Sequence, residues 1–271
     1  LCLTCRVHQT AFRIGDMDIA WYGICLAVGF MLGLWTAGRR GMRIGLNAED
    51  ISNLMIWMFI GGVVGGKALF LINHWEEFQN SKNSMQMLRS GWVFHGSLIG
   101  ACIGIWIFIR RKGMPLWATF DALAPSFALG HAIGRIGCFM NGCCFGKTCE
   151  LPWAVQFPAG TMPHSHHLSI EIIEPTAKLS AFVHPSQMYE FILNIMFYAF
   201  LAWLFRRRKF DGQIFAAYLL GYAVIRFGIE FARADDRGWL WFSSLTSGQG
   251  ISILLLGLGA FIWWKLKDQP M

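Results

Sequence analysis

Tyr222, Arg226, Glu230 and Arg233 follow one another at intervals of four, four and three residues through an otherwise apolar stretch. That spacing stacks all four on one face of a helix. A guanidinium group placed there has two uses. It can pair with Glu230 and neutralise itself, or it can face an internal cavity and grip an anion with the parallel N–H donors of its planar fork. Lys67, Asp121, Arg135, Arg226 and Glu230 are the main charged residues lying within long apolar runs. Each costs about 2.5–3.5 kcal/mol at the centre of a membrane helix, so several together reach the order of 10 kcal/mol. A penalty of that size calls for paired partners or a wet cavity, and by default it marks a functional site.

Arg135 lies in the segment Gly130-His131-Ala132-Ile133-Gly134-Arg135-Ile136-Gly137, which ends an apolar run. The glycines thin one side for close approach by a helix or a lipid, and Arg135 is expected at the outer edge of the membrane, level with phosphate headgroups. His95, in Phe94-His95-Gly96-Ser97, lies just inside an apolar run among small residues. A lone histidine in such a place is more often a hydrogen-bonded structural residue, and its worth as a base depends on its neighbours. His184-Pro185-Ser186-Gln187-Met188-Tyr189-Glu190 opens another apolar run, with Pro185 suited to a first helical position and Tyr189 and Glu190 in the first turns. Gly146-Lys147-Thr148 resembles the end of a phosphate-binding loop, but Asn141 stands where that motif requires a glycine. No strand can be argued before it, so the match is discarded.

Cys138, Cys143, Cys144 and Cys149 cluster in one segment. One or two disulfides in an oxidising compartment are the bland expectation, and a zinc site is disfavoured because no paired C-x-x-C is present. Cys25 and Cys102 fall inside apolar runs and are expected to be inert packing residues. His164, His166 and His167 could bind metal, but a solvated loop is the expectation there.

These residues need elements to carry them. The chain has 271 residues, 55% hydrophobic and only 14% charged. A soluble domain carries nearer a quarter charged residues, so an apolar solvent is required. The length criterion gives about seven spans of a bilayer core: residues 19–38, 51–73, 92–109, 116–136, 185–205, 213–231 and 248–264. The fold class expected is therefore an all-α membrane protein, a single polytopic domain over residues 1–271. Residues 138–183 form an outer-face insertion, a small and partly irregular subdomain with a strand or two. The first apolar run lacks a small-residue cleavage pattern, so a retained helix rather than a signal peptide is expected. The net charge of +7 does not point to nucleic acid, because the basic residues sit in short clusters between apolar runs. Arg39-Arg40 with Arg43, Arg110-Arg111-Lys112, Arg206-Arg207-Arg208-Lys209, and Lys265 with Lys267 fall at every second membrane exit. That pattern places the amino terminus outside and the carboxyl terminus in the cytoplasm. Trp21, Trp92, Trp239, Trp241, Trp263 and Trp264 near span ends suit interfacial anchoring.

Taken in order, these segments resemble the phosphatidylglycerol–prolipoprotein diacylglyceryl transferase family. The resemblance runs from Trp21-Tyr22-Gly23 through Phe94-His95-Gly96, Gly134-Arg135-Ile136-Gly137 and His184-Pro185-Ser186-Gln187-Met188-Tyr189-Glu190. It continues through Tyr222-Ala223-Val224-Ile225-Arg226 and Glu230-Phe231-Ala232-Arg233 to Gly248-Gln249-Gly250-Ile251-Ser252, and so covers nearly the whole chain. It implies a multi-pass enzyme of the bacterial plasma (inner) membrane, with phosphatidylglycerol and the lipobox cysteine of prolipoprotein signal peptides as substrates. It assigns lipid headgroup contact to Arg135 and Arg226, with Tyr22, Asn141, Tyr222 and Glu230 nearby. His95 takes the position of proposed proton abstraction, and Gly146 matches a functionally sensitive glycine. Cys138 and Cys143 depart from the family by replacing an asparagine and an acidic residue. Lys67 stands where an arginine is usual, and Ser97 replaces a second glycine after His95.

The chemistry so implied is attack by the substrate's own thiol. At a free pKa of about 8.5, only a few per cent of it is thiolate at neutral pH. A positioned base typically gives about 10²–10⁴-fold. The phosphate leaving group gathers charge that Arg226 and Arg135 would stabilise in the transition state. No metal or organic cofactor is required. A transporter or receptor for an anionic ligand is the rival reading; it would need no His95, and no inverted repeat is evident. A different phospholipid-dependent transferase, and a metal or redox protein built on Cys138–Cys149, are the others.

Overall fold

The computed structural model describes residues 3–4, 9–15, 17–80, 91–234 and 245–269. The chain is mostly helical and divides into two compact units: residues 1–33 with 120–271, and residues 34–119. Trp239 and Trp241, expected as interfacial anchors, lie outside the described residues. The helices are α1 (Trp21–Met42), α2 (Ala48–Asn73), the short α3 (Trp75–Asn80), α4 (Phe94–Lys112), α5 (Leu116–Asn141), the short α6 (Met162–Ser169), α7 (Ser186–Phe205), α8 (Gln213–Glu230) and α9 (Ser247–Leu266). Four of them, α1, α2, α7 and α9, are long and apolar enough to cross a membrane. The exposed surface is correspondingly apolar, with Leu254, Ile72 and Trp264 exposed by 74%, 70% and 66%. So much uncovered hydrocarbon on single helices is expected where lipid is the solvent.

The second unit is built on α2 and α4. Gly61 and Gly65 of α2 face Gly96, Gly100 and Gly104 of α4, and a Cβ added at any of these five would run into backbone of the opposite helix. Small residues every fourth position let two backbones touch, and that contact replaces the hydrophobic drive which lipid cannot supply. The close packing expected around Gly61, Gly62, Gly65 and Gly66 is thus present. Asn47 caps α2, accepting from Glu49 N at 3.0 Å, and Glu49 and Asp50 face the positive end of the helix dipole. Gly113 ends α4 in the left-handed conformation, φ 63°. Cys102 is exposed on α4, not packed as expected.

The first unit holds the first half of α1, α5 from Phe120 onward, α6 to α9 and the small strands. β1 (Leu3–Thr4) pairs in parallel with β4 (Val155–Gln156), and β2 (Thr10–Ile14) pairs antiparallel with β3 (Met17–Ala20). Phe145, Val155, Phe157 and Val183 form a buried apolar knot within the segment that joins α5 to α7. Basic residues gather in the last turns of α1 (Arg39, Arg40), α4 (Arg110, Arg111, Lys112) and α9 (Lys265), where the helix dipole favours cations.

Asp121 is fully buried in α5, and its place corrects the expectation that a charge inside an apolar run is functional. Its carboxylate accepts from the N–H groups of Gly212 (2.8 Å), Ile214 and Phe215 (both 2.9 Å), with Arg208 Nη1 at 3.4 Å. Those amides are the open donors at the start of α8. Asp121 is a helix cap supplied from a neighbouring helix, and its cost is met by hydrogen bonds. Lys67 is likewise engaged, donating from Nζ to Gly91 O at 2.7 Å beside the Trp92 ring.

Candidate functional site

Glu190, in the second turn of α7, organises the site. One carboxylate oxygen lies 2.8 Å from Arg135 Nη2 and the other 2.9 Å from Arg233 Nη1. It is almost fully buried, so its charge is tolerable only because guanidinium groups meet it from two other segments. Arg135 also donates from Nε to His131 Nε2 at 3.0 Å, one turn back on α5. His131 Nε2 also approaches the same Glu190 oxygen, at 3.5 Å.

The chain of contacts continues onto α8. The His131 and Tyr222 rings lie 5.6 Å apart, and Arg226 stands one turn beyond Tyr222 on the same face. Arg226 Nη1 pairs with Glu230 one turn further along the stripe. Glu230 is held in turn by the Thr246 hydroxyl at 2.7 Å, while the same hydroxyl accepts from Gln249 N as the cap of α9. The Arg226 fork is not used up by this pair. Its Nη2 faces Gly248, where an added Cβ would come within 2.6 Å. Among the described residues, neither Nη1 of Arg135 nor Nη2 of Arg226 has a hydrogen-bond partner. Both side chains are nearly buried, at 12% and 10% exposure, so an anion reaching them would be drawn into a place of low dielectric.

The ground beneath these arginines is laid by the segment after α5. Gly142 turns the chain at φ 66° and returns the Cys143 N–H to Cys138 O at 3.1 Å. Two buried residues of α7 then pin the loop: Gln187 Nε2 donates to Cys143 O at 2.8 Å, and Ser186 Oγ to Cys144 O at 2.9 Å. Gly146 threads between two strands of chain, donating to His184 O at 3.1 Å, while Lys147 N donates to Ala232 O at 2.9 Å. A Cβ at 146 would sit 2.6 Å from His184 and 2.8 Å from Ala232 O. Gly146 therefore positions the segment that carries Arg233. Asn141, at the end of α5, accepts at its carbonyl from Gln9 Nε2 at 3.1 Å. Tyr22 packs on Gly137, whose Cβ would lie 3.1 Å from the ring. A cavity of about 430 Å³ opens between α7 and α8, lined by Tyr189, Ile192, Leu193, Ile225, Gly228 and Ile229. It is apolar, and its walls are sequence neighbours of Glu190 and Arg226.

The cysteines and histidines depart from expectation. All six described cysteines are free thiols, and Cys138, Cys143 and Cys144 bring their sulfurs within 4.8 Å of one another without Cys149. Hydrogen bonds from Cys138 and Cys143, with Arg233 and Arg135 beyond them, hold the Cys144 thiol below its ordinary range. His164, His166 and His167 lie in α6, not in a solvated loop. His164 Nε2 meets Ala177 O at 2.8 Å, and His167 Nδ1 accepts from Ala181 N at 3.1 Å. Burial pushes His167 below the usual imidazole range, helped by His166 and His164.

Of the residues singled out from sequence, Arg135, Arg226, Glu230, Tyr222, Tyr22, Asn141 and Gly146 all fall in the first unit. His95 belongs to the second unit, exposed in the first turn of α4. Two residues central to the network, Glu190 and His131, had been assigned no role. Glu190 does carry a signal in the sequence: it is an acid one turn inside an apolar run.

A family model described as prolipoprotein diacylglyceryl transferase matches residues 9–265. Proteins named phosphatidylglycerol–prolipoprotein diacylglyceryl transferase are similar along nearly the whole length. That of Clostridium tetani is 31% identical over 252 residues, covering 93% of this chain and 95% of the relative. That of Nitratidesulfovibrio vulgaris is 30% identical over 97% of this chain and 95% of the relative. The Legionella pneumophila protein is 30% identical over 97% and 98%.

Proposed function

This chain belongs to the prolipoprotein diacylglyceryl transferase family, and from that premise we infer that it moves the diacylglyceryl group of phosphatidylglycerol onto the thiol of a lipobox cysteine. The thiol of the prolipoprotein loses its proton and attacks the glyceryl carbon. A carbon–sulfur bond forms as the carbon–oxygen bond to phosphate breaks, leaving a thioether and glycerol phosphate. The observation that carries the reading is the pair of nearly buried arginines, Arg135 and Arg226, each retaining guanidinium donors beyond its fixed carboxylate.

In this reading Glu190 and Glu230 serve as posts. Each engages part of an arginine fork and aims the rest at the lipid phosphate. Charge grows on the leaving oxygen during the reaction, so donors held in place before it begins favour the transition state over the ground state. Tyr222, Tyr22 and Asn141 surround the headgroup, Gly146 holds the supporting segment, and the apolar cavity between α7 and α8 takes an acyl chain. His95 is assigned the thiol proton, on the family resemblance alone. The seven long helices are read as spans of a bacterial inner membrane, with the amino terminus outside and the carboxyl terminus in the cytoplasm. Residues 138–183 are placed on the outer face, where prolipoproteins present their cysteine.

The test incubates purified protein with labelled phosphatidylglycerol and a lipobox peptide. The expected result is a diacylglyceryl mass gain on the peptide cysteine, lost in an Arg226→Ala protein that still inserts and unfolds cooperatively. A peptide that stays unmodified with folded detergent-solubilised protein would overturn the reading in favour of anion binding alone.

A further inference from the structure

We propose that Cys138, Cys143 and Cys144 together form a three-thiolate binding site for a divalent d¹⁰ cation of the zinc class. Their sulfurs lie within 4.8 Å of one another. Zinc–sulfur bonds of about 2.3 Å in tetrahedral geometry put neighbouring sulfurs about 3.8 Å apart, so ligation needs only a small inward movement. A disulfide would draw one pair to about 2 Å and strand the third sulfur.

Backbone contacts fix all three positions from outside the cluster. Cys138 is in the last turn of α5, where the carbonyl end of the helix favours a cation. Cys143 is folded back over it by the left-handed turn at Gly142. Cys144 itself adopts φ 59°, a conformation that a side chain of its kind rarely takes, and it is held there by Ser186 and Gln187 on the flanking carbonyls. Strain of this sort persists where the surroundings over-determine the geometry, and it tends to collect at sites that bind. Thiolate ligands carry negative charge, and Arg135 and Arg233 act electrostatically on this cluster. Soft sulfur donors select zinc-like cations over magnesium or calcium. Each thiol gives up its proton on ligation, and uptake therefore weakens as pH falls.

The test uses the full-length protein in detergent, reduced and stripped of metal by a chelator. Zinc ions are then added against a chromogenic competitor, with cobalt ions as a spectroscopic probe of sulfur ligation. Stoichiometric uptake and a thiolate-to-cobalt charge-transfer band are expected. Cys138→Ser, Cys143→Ser or Cys144→Ser should each weaken binding by more than the roughly 10- to 100-fold that outer partners of a metal site contribute. Cys102→Ser should leave binding unchanged. A second readout needs no substitution: zinc should protect the three thiols, but not exposed Cys102, from alkylation mapped by mass spectrometry. Uptake equal in wild type and the Cys138/Cys143/Cys144 serine variants, or alkylation indifferent to zinc, would overturn the proposal. So would a disulfide between two of the three in protein that takes up no metal after reduction.

Discussion

Arg135 Nη2 rests 2.8 Å from Glu190 Oε2, and this contact between α5 and α7 fixes how the rest of the arginine is presented. With Nη2 committed to the carboxylate and Nε to His131, the fork has one direction left in which to donate. A flexible cation would have to be oriented when the lipid arrives. A pinned one is oriented in advance, and the carboxylate that pins it is shared with Arg233.

Glu190→Gln should therefore damage stability and lipid binding together. Removing the charge leaves two guanidinium groups facing a neutral amide in a buried place, a situation that typically costs about 3–5 kcal/mol. Thermal unfolding in detergent should shift down, and the KM for phosphatidylglycerol should rise more than kcat falls in the protein that remains folded. A variant with unchanged melting and KM would remove Glu190 from its organising role.

Gly146→Ala tests the ground beneath the site. Its methyl group meets backbone and Cβ atoms at 2.6–2.8 Å, contacts that flexible side chains cannot relieve. Overpacking of this kind typically costs about 1–3 kcal/mol. Activity should fall beyond the loss of folded protein, because the displaced chain carries Arg233. Normal specific activity in the folded fraction would limit Gly146 to stability.

The fold was legible where composition speaks through length. Among the described residues, the four helices long and apolar enough to cross a membrane, α1, α2, α7 and α9, lie within a few residues of apolar runs, because a run of hydrocarbon long enough for a bilayer leaves the backbone few options. Partnership was harder to read. Arg226 and Glu230 are four residues apart, so their pairing was one of two local possibilities and could be named in advance. Arg135, Glu190 and Arg233 come from three distant segments, and no periodicity within any one of them reveals a shared carboxylate. Asp121 illustrates the same limit: a buried charge was visible in the sequence, but the amides it caps lie about ninety residues away. The cysteine cluster was visible in the sequence, but the grouping of Cys138, Cys143 and Cys144 without Cys149 comes from a turn at Gly142 that no C-x-x-C spacing announces.

Asp121→Asn separates structural from functional charge. The amide keeps one acceptor for the α8 amides and loses the charge that strengthens those bonds. A cost of about 0.5–2 kcal/mol, the range for a lost helix cap, is expected in thermal unfolding. Transfer per folded molecule should stay near wild type. A large loss of turnover with intact folding would return Asp121 to the list of functional residues.

His167 carries a pH dependence. Its neutral ring accepts from Ala181 N, and burial holds its pKa below the ordinary value of 6.5. The unfolded chain then binds a proton more readily than the folded one. This contribution to stability is complete above pH 6.5 and is lost as pH falls through the lower folded value. Melting temperatures from pH 7.5 down to pH 5 should decline more steeply in wild type than in His167→Gln, whose side-chain oxygen can still accept. Parallel curves would place the acid sensitivity elsewhere.

Lipid binding without turnover tests the central claim most directly. Native mass spectrometry of the intact protein, with phosphatidylglycerol set against a zwitterionic phospholipid and no peptide present, reads retention of the headgroup by itself. Selective retention of phosphatidylglycerol by wild type is expected, with a loss of about tenfold or more in Arg135→Gln and in Arg226→Gln, in line with the roughly 1.5–3 kcal/mol of a charged hydrogen bond. Retention of both lipids alike, unchanged by either substitution, would contradict the claim that these two guanidinium groups hold the phosphate.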